Sequence, residues 1–274
     1  MSGFGDSLEA AHGTIGRLID RVFQPRLEHD EIATWDAHWS ARLESAQRTG
    51  RFFEHHTVGK RWLYERVIES VERCAGGSLR GKVVAELGCG GGYATLRMAE
   101  RGAFPVLIDG SAAAIRYARA LAEHLGCAGQ CSFETRNLMD GRAMGPFDVT
   151  FNSGVLEHYP PDTASEMLRT MIRATRPGGV VMVVLPNLLA PTLLYRMLRS
   201  RSKGSERFYT PWLLKRVFLR AGLSFPQSGA VNAFFPAGAP LWLLQTVATR
   251  LAFLLPSCCS TLFFCSATRP AVRS

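Results

Sequence analysis

The chain has 274 residues, 47% of them hydrophobic and 20% charged, and carries a net charge of +9. That composition is globular, with apolar material for one large core and an appendage, and no apolar run reaches the roughly 18 residues that a membrane-spanning helix needs. The positive charge admits an anionic partner, whether nucleic acid, a phosphorylated or carboxylated substrate, or an acidic membrane surface, and equally a merely basic surface.

The start, "MSGFGDSLEAAHG", carries acids and lacks a basic segment followed by an apolar one, so no secretory signal is expected. Seven cysteines (Cys74, Cys89, Cys127, Cys131, Cys258, Cys259 and Cys265) form no CxxC pair and no ligand-spaced set with histidines. A disulfide or metal scaffold is therefore not expected, and a reducing cytoplasm is the default location.

Residues 1–79 read as a helical, aromatic-rich cap. Trp35 and Trp39 lie four apart, as do Trp62 and Arg66, so each pair shares a helix face. From residue 80 the texture changes to short β-branched runs alternating with amphipathic segments, which argues for one α/β domain over 80–274. The first strand runs from Lys82 to Leu87. The helix after its glycine loop ends near Arg101, closed by Gly102. A second strand, "FPVLID", ends at Asp109; Ser111 caps the following helix and Gly126 stops it. "CSFETRN" and "FDVTFNSG" supply the third and fourth strands. Thr163 and Glu166 have capping-box spacing at the start of "TASEMLRTMIRATRPGG".

"VVMVVLPN" is the fifth strand, after which Pro191 begins one extra helix and Thr210-Pro211 another, the latter ended by Gly222. Two final strands are expected around Ser224–Asn232 and Thr261–Thr268. Between them, Leu241 to Leu255 is apolar except for a stripe of Gln245, Thr246, Thr249 and Arg250. At fifteen residues it is too short to span a bilayer; a core helix, a substrate lid and an interfacial contact all remain open.

The loop "ELGCGGGYAT" decides the cofactor. A GxxxxGK[ST] phosphate loop is absent. For the dinucleotide pattern GxGxxG, the third glycine falls on Tyr93 or Thr95 and the match fails. What remains is GxGxG at Gly88, Gly90 and Gly92, with Glu86 two residues upstream. This loop resembles that of class I S-adenosylmethionine-dependent methyltransferases, whose glycines let backbone approach a ligand that has no pyrophosphate. "VLIDGS", "FETRN", "FDVTFNSGVLEHY", "ATRPGGVVMVVLPN" and "RFYTPWLLKRVFLRAGL" continue the resemblance over roughly residues 80–225.

The resemblance implies a doubly wound, seven-stranded, mostly parallel Rossmann-like sheet with S-adenosyl-L-methionine as cofactor. Glu86 would lie near the methionine moiety and Asp109 on the ribose hydroxyls. Asn137, where the family commonly has Asp, would face the adenine amino group, with Leu138 against the ring and Ser153 completing the cofactor set. His158 follows the fourth strand and is the candidate general base, with an orienting or structural role as the alternative. Ubiquinone-pathway O-methyltransferases read E-x-x-E-H at this point and hold a divalent ion; here Gly154 replaces the first acid, leaving Glu157 and His158, so no catalytic metal is expected.

The acceptor implied is a small molecule or lipophile, anionic in one reading, with peripheral membrane contact as a further option. The "NSGV" turn lacks the N/D-P-P-Y/F pattern of base-amine methyltransferases, which lowers an RNA substrate to an alternative. A nicotinamide oxidoreductase and a non-catalytic cofactor-binding protein are the others. Substrate-recognition elements are expected near 188–220, where Arg196, Arg199, Arg201, Lys203, Arg207, Lys215, Arg216 and Arg220 face only Glu206. His55, His56, Arg61, Trp62 and Tyr64 in the cap are candidate acceptor contacts.

Overall fold

In the computed structural model, residues 31–52, 58–187, 209–231 and 262–270 are described. Two helices, α1 (Glu31–Thr49) and α2 (Val58–Cys74), precede the first strand, β1 (Val83–Leu87). Then follow α3 (Tyr93–Met98, extended by a 3-10 turn to Arg101), β2 (Phe104–Asp109), α4 (Ala112–His124), β3 (Ser132–Thr135), β4 (Phe147–Ser153) and α5 (Pro161–Ala174). β5 (Thr175–Pro186), α6 (Pro211–Arg220), β6 (Gln227–Ala230) and β7 (Leu262–Thr268) complete the order. Pro191, the basic residues from Arg196 to Arg207, His55, His56 and the apolar stretch 241–255 lie outside the described residues.

The seven strands form one sheet in the order β3-β2-β1-β4-β5-β7-β6. β1 pairs in parallel with both β2 and β4, and only β7 runs against its neighbours. Strand residues alternate strictly between two cores. Ala85, Leu87, Val181, Val183 and Leu185 pack beneath α5 and α6. Val84, Val149, Phe151, Met182 and Val184 pack with α2 and α3 on the opposite face, and Leu107 packs there with α3 and α4. A period of two along each strand is what burial on both faces demands. Chain order reverses between β1 and β4, which puts the ligand crevice of such a sheet at their carboxyl ends.

Helix ends largely follow the expected residues. Ser111 Oγ accepts the Ala114 N–H at 3.0 Å to cap α4, and Thr210 Oγ1 accepts that of Leu213 at 3.2 Å to cap α6. The capping box at Thr163 and Glu166 is a correction. α5 begins three residues earlier than a Thr163 cap implies, at Pro161, with Pro160 as a cap that offers no side-chain bond. A proline at the first helical position is already preset for helix and gives up no needed N–H, so it takes precedence over the threonine. Glu166 instead pairs with Arg169 on the same helix.

β5 also begins earlier than the β-branched run suggests. Thr175 pairs with Phe147, the register then shifts, and pairing resumes at Val180 with Val149. A bulge at Gly178-Gly179 absorbs the extra residues. A Cβ on Gly179 would stand 2.6 Å from Thr175 Cγ2, so the crowding itself requires glycine.

Arg269, just beyond β7, closes this corner. Its backbone exchanges hydrogen bonds with Gly178 and Gly179, and its guanidinium donates to the carbonyls of Ile172, Arg173 and Thr175 at the end of α5. A cation on the last carbonyls of a helix satisfies both their hydrogen-bonding need and the helix dipole. Arg269→Ala is expected to destabilise the fold by about 2 kcal/mol, a charged hydrogen-bond set being worth roughly that. Thermal unfolding should show a midpoint lowered by about 4–8 °C; an unchanged midpoint would remove Arg269 from this role.

Candidate active site

β1 delivers its chain directly into a cavity of about 430 Å³ at the switch point. Beyond Leu87 the N–H groups of Gly88 and Cys89 both donate to the Ile108 carbonyl, at 2.8 and 3.1 Å, so the loop begins as a continuation of the β1–β2 ladder. The three motif glycines are small for different reasons. A Cβ on Gly92 would lie 2.0 Å from Leu107 Cδ2, and one on Gly88 would lie 2.8 Å from Val155 Cγ2. These two are required by packing between loop, sheet and helix. Gly90 has a φ of 51°, and its Cβ would meet the Trp39 ring at 2.5 Å. What approaches it closely within the protein is a side chain of α1.

Asp109 sits one strand over. Its Oδ2 accepts the Gly90 N–H and its Oδ1 the Ser111 N–H, both at 2.8 Å. Burial pushes its pKa upward, while the N–H groups of Ser111, Gly90 and Gly110 pull against that shift. Each carboxylate oxygen can accept a second bond, so acceptor capacity remains for hydroxyl donors in the cavity.

Glu86 is buried and accepts a hydrogen bond from Thr95 Oγ1 on α3. Burial, only partly opposed by that bond, raises its pKa to about 8. At neutral pH it is therefore held largely protonated, a state that a cationic ligand group would reverse. Cys89 beside it is also buried, and its thiol is pushed up well above the ordinary range, which keeps it neutral.

Asn137, Leu138, Ser153 and His158 all line the same cavity as Glu86, Asp109 and the three motif glycines. Asn137 Oδ1 accepts the Met139 N–H at 2.9 Å, a local turn that leaves one lone pair on that oxygen. Met139 joins Leu138 on the cavity wall. His158 ends the 3-10 turn Leu156–His158 after β4. Among the described residues, no group of three His, Cys, Asp or Glu side chains is arranged to hold a metal ion.

The fourth wall is α1, and its site residues were not singled out as ligand contacts from the sequence. Ile32, Trp35, His38, Trp39 and Arg42 all line the cavity. Trp35 meets the His158 ring edge-on with centroids 5.4 Å apart, and Trp39 packs on Tyr117 at 5.1 Å. Asp36 anchors the helix: one carboxylate oxygen accepts both Ser111 Oγ–H and the Ala113 N–H at 2.8 Å, at the amino end of α4. Those donors, Ala113 first, hold its pKa below the usual carboxylate value. Of the cap residues expected at the site, Tyr64 lines the cavity. Arg61 and Trp62 are not among the lining residues, although their neighbour Leu63 is. The signal was in the sequence, as the Trp35–Trp39 spacing, without the partner that the spacing faces.

The raised pKa of Glu86 fixes a sign. A ligand ammonium placed near it lowers that pKa, so binding releases a proton whenever the free carboxyl is protonated. Affinity for S-adenosylmethionine, which carries such an ammonium, should rise with pH by up to about tenfold per unit until about 8, where the rise ends because the ligand's own α-ammonium begins to lose its proton. Titration calorimetry across pH checks this, and Glu86→Gln should abolish the slope. A flat profile in the unsubstituted protein would show that no cationic group reaches Glu86.

Residues 84–179 match a family model described as a methyltransferase domain. Ubiquinone biosynthesis O-methyltransferase of Pseudomonas paraeruginosa is 31% identical over 155 residues, which cover 57% of this chain and 62% of that relative. The protein of the same name from Aeromonas salmonicida is also 31% identical, over 54% of this chain and 65% of the relative. The matched stretch thus spans a little under two thirds of these relatives' length. Among solved structures, the magnesium protoporphyrin IX methyltransferase of Synechocystis PCC 6803 with bound SAH superposes with a TM-score of 0.59 at 17% identity, covering 88% of this chain and all of the other. At that identity the likeness shows the fold alone. The family match thus covers about a third of the chain and is to a methyltransferase domain, and the fold is the one that the Synechocystis methyltransferase shares.

Proposed function

We propose that the protein transfers the methyl group of S-adenosylmethionine to an oxygen or nitrogen nucleophile of a small, lipophilic acceptor. The observation that carries this reading is the carboxylate of Asp109 tied to the Gly90 N–H beside a cavity of about 430 Å³. This combination fits a nucleoside whose sugar is held from β2 and whose chain crosses the glycine turn. A dinucleotide fits it poorly. Where that class needs its helix-packing glycine, this chain has Tyr93, buried and packed on Tyr64 at 5.3 Å. The names of the curated relatives favour an oxygen nucleophile.

In this reading Asp109 accepts the ribose hydroxyls with its remaining lone pairs, Glu86 compensates the ligand ammonium, and Asn137 with Leu138 borders the base. Ser153 and the backbone of Gly88, Gly90 and Gly92 complete the cofactor wall. When bound, S-adenosylmethionine supplies a methyl group already activated on a sulfonium. The protein's share of the work is alignment and exclusion of water, since a well-oriented pair of reactants needs little further help. α1 contributes to both, because Trp35 and Trp39 roof the cavity with apolar rings.

His158 takes the acceptor's proton when the nucleophile arrives protonated, as a phenol or ammonium does. Its ring is set by the Trp35 edge contact, which leaves its orientation dependent on α1 being in place. The division of the chain proposed here is a helical cap over 1–79 and a catalytic domain over 80–274, with acceptor selection near 188–220.

The test incubates the protein with methyl-labelled S-adenosylmethionine and separate lipid-soluble, water-soluble and RNA fractions of a cell extract. Label is expected in the lipid-soluble fraction. Label confined to RNA would replace the acceptor class, and cofactor binding without label anywhere would indicate a non-catalytic protein. On the labelled acceptor, His158→Ala should lower the rate by about 10²-fold or more, the usual worth of a general base, with cofactor affinity unchanged and the acidic limb of the pH–rate profile gone. A profile retaining that limb would leave His158 with an orienting role.

A further inference from the structure

α6 buries Pro211, Leu214, Val217 and Phe218 against the core. That leaves Trp212, Leu213, Arg216, Leu219 and Arg220 exposed, at the i, i+1, i+4, i+7, i+8 spacing of one helix side. A helix packed on a core normally shows a polar face outward; this one shows three large apolar side chains and two cations. Trp212 is 53% exposed and Leu219 55%. Phe225, three residues past the closing Gly222, is 91% exposed. Of eight large hydrophobic side chains exposed among the described residues, four (Trp212, Leu213, Leu219 and Phe225) fall in this stretch.

The backbone at Phe225 adds to this. It is the one non-glycine residue with positive φ among the described residues, at 52°, a conformation that is unfavourable for a bulky side chain. A strained backbone that presents a phenyl ring to solvent gains nothing for the fold.

Charge selects the occupant. From Tyr209 to Phe225 there is no Asp or Glu, while Lys215, Arg216 and Arg220 are cationic. The neighbouring α5 brings Asp162 and Glu166 to the edge of this face, where Glu166 is paired with Arg169 and Arg169 donates to the Arg220 carbonyl. Aromatic rings, leucines and arginines without interspersed acids match the boundary region of a bilayer containing anionic lipid. There rings sit at headgroup level, aliphatic side chains enter the acyl boundary and guanidinium groups meet phosphate.

We infer that the outward face of α6, together with Phe225, seats the protein on the surface of an anionic membrane. Few apolar side chains are available, so the contact is weak, reversible and salt-sensitive. The inference stands apart from the proposed reaction, yet bears on it. Leu214 and Phe218, on the inner side of α6, share one apolar cluster with the cavity-lining Leu138 and Met167. A lipophilic acceptor would thus be taken up close to the surface that holds it.

Co-sedimentation with vesicles of phosphatidylcholine, with and without phosphatidylglycerol, tests this on the full chain. Binding is expected only to the anionic vesicles and should fall as salt is raised. Leu219→Ser with Phe225→Ser, and separately Arg216→Glu with Arg220→Glu, should each lower binding about tenfold or more, each cation near an anionic surface being worth a factor of about five. Thermal midpoint and calorimetric S-adenosylmethionine affinity, read on the same proteins, should not move. Equal binding to both vesicle types, or double variants that bind as well as the parent, would overturn the inference. Light scattering that shows a dimer lost in the same variants, without vesicle binding, would assign the face to a second copy of the chain. Vesicle binding by a protein that transfers no methyl group would leave this inference standing and the proposed reaction refuted.

Discussion

One carboxylate organises the crevice. Asp109 is the last residue of β2, and its two oxygens tie the glycine turn after β1 to the turn that opens α4. Ser111, held by that bond, caps α4 with its hydroxyl oxygen and donates the hydroxyl proton to Asp36 on α1. A single chain of hydrogen bonds therefore runs from the turn at Gly90 to the helix that covers it. The arrangement carries a cost, because Asp36 lies close enough for its charge to raise the Asp109 pKa. Backbone N–H groups oppose this at both carboxylates, which is how two acids coexist at one end of a sheet.

The same chain sets the shape of the cavity. With Asp36 fixed on the amino end of α4, the side of α1 bearing Ile32, Trp35 and Trp39 is turned onto Gly110, His158 and the Gly90-Gly91 turn. The cofactor side of the cavity is thus polar at its floor, with Glu86 and Asp109, and aromatic at its roof. A charged, flexible ligand and an apolar acceptor can meet in such a space with little water between them. α6 continues the apolar theme beside α5, where its inner face shares an apolar cluster with the cavity-lining Leu138 and Met167 and its outer face meets solvent.

Much of this was legible from local pattern. The strand–turn–helix grammar around "VVAELGCGGGYAT" and "FPVLIDGS" depends on neighbours within a few residues, and the ladder from Val83–Phe104 to Leu87–Ile108 reproduces it. Gly102, Ser111, Gly126, Thr210 and Gly222 mark helix ends for equally local reasons. What was not legible depends on distant residues. Nothing in "TWDAHW" says that Trp39 will lie on a turn some fifty positions later. The requirement for glycine at 88 and 92 comes from Val155 and Leu107, residues that no motif links to the loop. The start of β5 is masked by a bulge whose partner is Arg269 at the other end of the chain. At Thr163 two local signals competed, and proline preset the helix before threonine could cap it.

The central claim is that the space between the Gly88–Gly92 turn and Asp109 accepts an adenosyl sulfonium. Calorimetric titration of the full chain with S-adenosylmethionine and, in parallel, with NAD measures this directly. Saturable one-to-one binding of S-adenosylmethionine that Asp109→Ala weakens, with no heat from NAD, is the predicted result. Binding of NAD in place of S-adenosylmethionine, or cofactor affinity indifferent to Asp109, would contradict it.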